Sequence, residues 1–116
     1  MIKIYGIKNC DSVKKAIKFL KVHTLAYELI DFKITPVDCK KVQEWLQKTT
    51  VTKLFNTRST SYRNLKLKEK NLTDEQKAEW LCKENLLIKR PVIEFGEKLI
   101  VGYNEQEYLT NFLNKE

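Results

Sequence analysis

The sequence predicts an α/β fold with the order βαβ, a helical insert, and then ββα. Short runs rich in β-branched and aromatic residues lie near the two ends of the chain, which favours strands there. The middle of the chain is polar and rich in lysine, with signals for helix starts. Because 116 residues seldom divide into two cores, we expect one domain over 1–116.

The first part of the chain carries a βαβ pattern. Residues 2–5 alternate in polarity and end at Gly6, which predicts a short strand. From Asp11 onward, apolar residues recur at the spacing of one helix face, and lysines occupy the opposite face. Residues 25–32 combine aliphatic and aromatic side chains and predict a second strand.

The segment 36–86 is predicted to be a mostly helical insert. Thr35, Pro36 and Asp38 resemble an N-cap with proline at the first helical position and an acid at the third. A second helix should therefore begin near residue 36. The polar stretch 49–72 predicts only short helical turns.

Two capping boxes predict the remaining helices. Thr73 with Gln76 should start a helix that ends in the mid-80s, and Asn104 with Glu107 should start a final helix. Between them, two short apolar segments flank Gly96, which is typical of a β-hairpin. The predicted order therefore ends with ββα.

Charge and composition exclude several classes of function. The net charge of +7 favours anionic partners. No apolar run is long enough to cross a membrane, which argues against a membrane protein. The N-terminus has the alternating polarity of a strand and not the pattern of a signal peptide, so we expect a cytoplasmic protein. Trp45 and Trp80 fall on helical apolar stripes, and direct nucleic-acid binding has no motif here.

The three cysteines differ in their predicted surroundings. Their odd number and wide spacing argue against a disulfide framework or a metal site. Cys39 and Cys82 fall in predicted helices, where we expect buried packing residues. Cys10 lies at the predicted start of the first helix, near Lys8, where backbone N–H groups and positive charge favour a reactive thiolate. The alternative is that Cys10 is a small apolar residue in a turn.

Four motifs resemble the arsenate reductase-like family of thioredoxin-fold proteins. They are GIKNCDSVKKA at 6–16, NTR at 56–58, KRPVI at 89–93 and VGYNE at 101–105. The resemblance spans nearly the whole chain, and YGIKNCD is similar to the YffB-type branch, regarded as glutathione-dependent thiol reductases. It implies a thioredoxin-like α/β fold with a mostly helical insert between the βαβ and ββα halves.

The resemblance also implies a function and a site. It implies a thiol oxidoreductase in which Cys10 is the nucleophile and Arg58 and Arg90 hold an oxyanion or a carboxylate. Glutathione is the implied co-substrate, glutaredoxin a further partner, and no metal is expected. Lys8 and Asn9, which belong to the cysteine motif, are expected to support the site.

Pro91 is a further supporting residue. The resemblance implies a cis Arg90–Pro91 bond, because thioredoxin folds place a cis-proline before the third strand, opposite the cysteine. Without the resemblance, Arg58 is better explained as a surface arginine at a helix end, and Arg90 as a residue that only leads into the proline. Arg63 has no motif partner and is interpreted as a surface charge.

Departures from the family pattern define two alternative functions. Arsenate reductases of the family carry a third arginine on the strand where this chain has LIVGY, and a histidine shortly before the cysteine; this chain has neither. Each missing charge-assisted hydrogen bond is worth roughly 1.5–3 kcal/mol, so we expect inefficient arsenate reduction.

Spx-type regulators, which bind RNA polymerase, carry a C-x-x-C pair whose second position is Val13 here. Those regulators sense oxidation through this pair, and the disulfide of the pair cannot form here. VGYNE nevertheless resembles their sequence, so a polymerase-binding regulator is the runner-up.

Overall fold

One mixed sheet of four strands organises the chain, which the computed structural model describes over residues 2–113. The strands are β1 Ile2–Gly6, β2 Tyr27–Asp31, β3 Val92–Phe95 and β4 Lys98–Val101. Their order is β2-β1-β3-β4, with β1 parallel to β2 and antiparallel to β3, and β3 antiparallel to β4. The predicted order of βαβ, helical insert and ββα is confirmed.

Helices account for most of the remaining chain. The α-helices are α1 Asp11–Val22, α2 Cys39–Leu46, α3 Val51–Leu54, α4 Thr60–Asn64, α5 Asp74–Lys83 and α6 Glu105–Tyr108. Two 3₁₀ turns occur at Leu67–Lys70 and Asn85–Leu87, and a π-helical turn at Leu109–Leu113 continues α6. Within residues 2–113, no helix combines the length and the apolar character that a bilayer span requires.

The sheet separates two hydrophobic cores. Because side chains alternate along a strand, Ile4 of β1 packs with α1 and α6, whereas Tyr5 packs with the helical insert. Trp45 of α2 and Leu81 of α5 are buried in the insert core. The first helix and the insert therefore lie on opposite faces of the sheet.

The antiparallel pairing of β1 and β3 brings two distant segments to one end of the sheet. Tyr5 pairs with Val92, so the end of β1 lies beside the start of β3. The loop that carries Cys10 follows β1, and Arg90 with Pro91 precedes β3. This register places the two motifs at the same end of the sheet.

The second helix begins later than the sequence predicts. Its N-cap is Asp38, whose carboxylate accepts a hydrogen bond from the Lys41 N–H at 2.9 Å, so the prediction of a cap at Thr35 is wrong. The N–H of Val37 donates to Asn85 Oδ1 at 2.8 Å and so binds the segment to the insert. This long-range bond holds the residues before Asp38 outside the helix.

The other capping predictions are confirmed. Thr73 and Gln76 form a reciprocal capping box at the start of α5. Asn104 Oδ1 accepts from the Glu107 N–H at 2.9 Å at the start of α6. The turn between β3 and β4 contains Gly96 at φ +60°, a conformation that favours glycine.

Glu94 of β3 anchors α2 to the sheet. Its carboxylate accepts hydrogen bonds from Tyr5 Oη at 2.8 Å, Trp45 Nε1 at 2.9 Å and Lys41 Nζ at 3.1 Å. Burial alone would raise the pKa of Glu94, but these three donors outweigh it and lower that pKa below its ordinary value. Desolvation and the Glu94 carboxylate together raise the pKa of Tyr5.

The sequence expectations for two of the cysteines are wrong. Cys39 is exposed at the first residue of α2, and it forms a disulfide with the half-buried Cys82 near the end of α5. The two Cα atoms are 4.6 Å apart, although the residues are 43 positions apart in sequence. Spacing in the sequence could not reveal the pair, because only the packing of α2 against α5 brings the cysteines together. Cys10 is a free thiol.

Candidate functional site

Cys10 is the N-cap residue of α1. Its backbone is extended, with φ −138° and ψ 126°, and its carbonyl accepts a hydrogen bond from the Lys14 N–H at 2.9 Å. No side chain caps this helix end, and the cysteine is half-buried. The backbone N–H groups of the first turn therefore stabilise negative charge close to the sulfur.

A close contact fixes the position of the Cys10 loop. Gly6, the last residue of β1, is buried, and a Cβ built on it would lie 2.6 Å from Cγ2 of Val13. Val13 is fully buried in the first turn of α1. Only glycine allows this approach, so the helix start packs directly against the end of the strand.

Cys10 lines an open cleft of about 490 Å³. The other residues that line this cleft are Ser12, Thr52, Phe55, Asn56, Thr57, Arg58, Lys89 and Arg90. The structure thus brings together the predicted nucleophile and both predicted arginines from three separate parts of the chain. Lys89 adds a third cation.

Short-range and long-range bonds position Arg58. Asn56 Oδ1 accepts from the Arg58 N–H at 2.9 Å, which forms an Asx-type turn. The Asn56 N–H in turn donates to the Leu87 carbonyl at 2.8 Å, beside a β-bridge between Phe55 and Ile88. This pairing fixes the segment that carries Arg58 against the segment that leads to Arg90.

Arg90 makes a structural hydrogen bond and also lines the cleft. Its Nη1 donates to the Leu86 carbonyl at 3.0 Å, while its Nε is buried and has no hydrogen-bond partner within residues 2–113. The Arg90–Pro91 bond is cis, which confirms that prediction. The ion pairs found in residues 2–113 join Lys41 to two glutamates, so neither Arg58 nor Arg90 is neutralised by a carboxylate there.

Other predicted residues lie outside the cleft lining. Lys8 and Asn9 are exposed in the loop before Cys10, and the Lys8 N–H donates to Asp31 Oδ2 at 3.4 Å. Pro91 is buried, and Arg63 is exposed and lines a neighbouring basic cavity of about 480 Å³. In the part of the chain that the structure describes, no three His, Cys, Asp or Glu side chains are grouped to hold a metal ion.

Sequence reasoning missed several residues that line the cleft. Ser12 follows Cys10 by two positions, and Lys89 adjoins Arg90, so both could have been found from the motifs themselves. Thr52 and Phe55 had no local signal. They reach the cleft through the fold of the insert, which the sequence indicated only as short helical turns.

The sequence model of the ArsC family matches residues 5–111. This chain belongs to the ArsC family. An uncharacterised protein of Haemophilus influenzae is 41% identical over 113 residues, which cover 97% of this chain and 99% of that protein. The solved structure of the YFFB protein is 30% identical, with a TM-score of 0.86, and the match covers 95% of this chain and 97% of that one.

A transcriptional regulator is also similar to this chain. The global transcriptional regulator Spx of Listeria innocua is 29% identical over 109 residues, which cover 92% of this chain and 83% of the regulator. The comparisons confirm the resemblance to the arsenate reductase-like family and to YffB-type proteins. They also confirm the thioredoxin-like α/β fold with its helical insert.

Proposed function

We propose that this ArsC-family protein is a thiol oxidoreductase that uses Cys10 as nucleophile and glutathione as co-substrate. The observation that carries the proposal is the position of a free cysteine at an uncapped helix N-terminus, in a cleft shared with two arginines. Helix N–H groups and nearby cations favour the thiolate, which is the nucleophilic form of cysteine. An open cleft gives a small disulfide access to it.

The proposed reaction consists of two thiol–disulfide exchanges. The Cys10 thiolate attacks one sulfur of a disulfide substrate, so a bond from Cys10 Sγ to that sulfur forms and the substrate S–S bond breaks. The departing thiolate takes a proton from solvent. Glutathione thiolate then attacks the substrate sulfur of the mixed disulfide, which releases the Cys10 thiolate and yields a mixed disulfide of glutathione and substrate. In solution, a second glutathione thiolate attacks the glutathione sulfur of this product, which gives oxidised glutathione and releases the second substrate thiol.

The arginines are proposed to orient the anionic co-substrate. Glutathione carries carboxylates, and the planar guanidinium group is suited to bind a carboxylate through two hydrogen bonds. Arg58 is exposed on one wall of the cleft, and the half-buried Arg90 supplies a second cation. Neither forms an ion pair with a carboxylate within residues 2–113, which leaves their charge available to a ligand.

A coupled assay tests this function. Hydroxyethyl disulfide is reduced with glutathione, and glutathione reductase reports the oxidised glutathione that forms. The assay uses a Cys39→Ser with Cys82→Ser background, in which Cys10 is the one remaining cysteine. Adding Cys10→Ser to this background should abolish the activity, whereas adding Arg63→Ala should leave it unchanged, because Arg63 lies outside the cleft lining. Turnover that survives Cys10→Ser in that background would refute the proposal.

The alternative of a true arsenate reductase is tested in parallel with arsenate, glutathione and glutaredoxin. Because β4 carries no arginine, we expect the disulfide to be the better substrate. Fast arsenate reduction that Cys10→Ser abolishes would reverse this ranking. It would then imply that a lysine such as Lys89, which lines the cleft, acts as a point charge in place of the missing arginine.

The regulator remains a second candidate because of the similarity to Spx. Val13 is fully buried against Gly6, so the position of the second C-x-x-C cysteine is a packing residue here. We expect oxidised glutathione to give an adduct at Cys10. Co-purification with RNA polymerase subunits, together with the absence of that adduct, would favour the regulator.

A further inference from the structure

We propose that Cys39 and Cys82 form a second redox site, a reversible dithiol–disulfide pair that exchanges with small-molecule disulfides independently of Cys10. This inference goes beyond the proposed function, which uses Cys10 alone. The two helices that carry the pair pack against each other in the insert. Neither Cys39 nor Cys82 lines the cleft that contains Cys10.

The backbone geometry suits a disulfide between the two cysteines. The Cα atoms are 4.6 Å apart, within the range that a disulfide spans. Both cysteines lie in regular helices whose positions are fixed by other contacts. Trp45 of α2 and Leu81 of α5 are fully buried in the insert core, and Trp45 also bonds to Glu94. Core packing thus brings the two sulfurs together.

The two cysteines differ in access and electrostatic surroundings. Cys39 is exposed at the first residue of α2, where the helix N-terminus favours a thiolate and the adjacent Asp38 carboxylate partly offsets this effect. Gln43 Nε2 lies 3.8 Å from its sulfur. Cys82 is half-buried at the penultimate residue of α5, where the helix C-terminus opposes negative charge. Cys39 is therefore the attacking thiol, and Cys82 is the resolving thiol.

Oxidation by a small disulfide such as oxidised glutathione proceeds in two steps. Cys39 thiolate attacks one sulfur of oxidised glutathione, which forms a mixed disulfide and releases one glutathione thiolate. Cys82 thiolate then attacks Cys39 Sγ, which forms the internal disulfide and releases the second glutathione. The two cysteines lose two electrons, and the two glutathione molecules take up these electrons and the two thiol protons. Excess reduced glutathione reverses both steps.

The test uses Cys10→Ser, so that its outcome does not depend on the proposed catalytic cysteine. The reduced full-length variant is treated with oxidised glutathione, quenched with N-ethylmaleimide at intervals, and analysed by non-reducing peptide mass spectrometry. We expect a transient glutathione adduct on Cys39, followed by a Cys39–Cys82 disulfide that reduced glutathione reopens. Circular dichroism verifies that the variant is folded.

Two further variants separate the roles of the cysteines. Cys10→Ser with Cys82→Ser should accumulate a stable glutathione adduct on Cys39, because no resolving thiol remains. Cys10→Ser with Cys39→Ser should form an adduct on Cys82 more slowly. The inference is overturned if both thiols of Cys10→Ser remain open to N-ethylmaleimide or stop as separate adducts. It is also overturned if the disulfide closes in the wild type but not in Cys10→Ser, which would make Cys10 the attacking thiol.

Discussion

Gly6 and Val13 form a close contact beneath the cysteine loop: a Cβ on Gly6 would lie 2.6 Å from Val13 Cγ2. Val13 is β-branched and fully buried, so its side chain has little freedom to move away. The contact fixes the start of α1 against the end of β1. It thereby determines where Cys10 stands relative to Arg90, whose Cβ lies 3.8 Å from the same built Cβ.

Gly6→Ala should destabilise the protein and displace the Cys10 loop. Forcing a methyl group into a filled core costs about 1–3 kcal/mol of unfolding free energy. Denaturant unfolding measures this cost, and the alkylation rate of Cys10 reports the loop. In the double variant Gly6→Ala with Val13→Ala, the smaller alanine side chain at position 13 leaves room for the added methyl group. The loss of unfolding free energy in the double variant should therefore be smaller than the sum of the losses in the two single variants. Strictly additive losses would contradict the contact.

Local signals accounted for the parts of this fold that depend on neighbouring residues. The alternation in β1, the amphipathic pattern of α1 and the capping box at Thr73 each lie within one turn or strand, and each prediction is confirmed. The Cys10 position followed in the same way, because a helix start is recognisable from its own residues. Family resemblance supplied Arg58 and Arg90, which the cleft unites.

Contacts between distant residues account for what the sequence did not reveal. Asp38 replaces Thr35 as N-cap while Asn85 binds the preceding segment from 48 residues away. The Cys39–Cys82 pair depends on two helices packing side by side. Such relationships arise from tertiary packing and leave no periodic pattern in one sequence.

Glu94→Gln should remove a pH-dependent contribution to stability. Because the folded pKa of Glu94 is lowered, its carboxylate stabilises the protein above the unfolded pKa of about 4.3, and this stability is lost as the pH falls through the folded pKa. The variant should be less stable at neutral pH by about 1–3 kcal/mol, since the carboxylate charge that strengthens the three bonds is lost and one of its acceptor oxygens is replaced by an NH2 donor.

Urea unfolding of both proteins at a series of pH values measures this difference. The difference in unfolding free energy between the wild type and Glu94→Gln should be constant near neutral pH and should become smaller in acid. Glu97→Gln, in the exposed turn between β3 and β4, is the matched control and should unfold like the wild type. A gap that does not change with pH would show that the carboxylate charge has no part in it.

Arg58→Ala and Arg90→Ala should separate ligand binding from stability. Arg58 is exposed, so its loss should leave unfolding within about 0.5 kcal/mol of the wild type but raise the KM for glutathione roughly tenfold. Arg90→Ala should also raise that KM, and it should cost about 1–2 kcal/mol of stability because the Leu86 carbonyl loses its donor. Arg63→Ala is the control for a lost surface charge. If Arg58→Ala and Arg90→Ala kept the same KM for glutathione as Arg63→Ala, the proposal that the cleft arginines bind a carboxylate would be refuted.

Cys10 should react with iodoacetamide below neutral pH faster than Cys39 or Cys82 in the fully reduced protein. Each thiol has a different electrostatic setting. Cys10 stands at an uncapped helix N-terminus in a cleft with three cations. Cys39 shares a helix N-terminus, but the carboxylate of its N-cap residue, Asp38, opposes a thiolate there. Cys82 is half-buried near a helix C-terminus.

The order of alkylation is therefore expected to be Cys10, then Cys39, then Cys82, because thiolate fraction and access control the rate. Peptide mass spectrometry after short pulses of iodoacetamide measures the three rates in one sample. Arg58→Ala should slow alkylation at Cys10 by removing one of the cleft cations and leave the rate at Cys39 unchanged, which separates an effect of the cleft from a general effect on the fold. Equal rates at all three cysteines would mean that the helix start and its cations do not activate Cys10, and the nucleophilic role proposed for it would then fail before any substrate is considered.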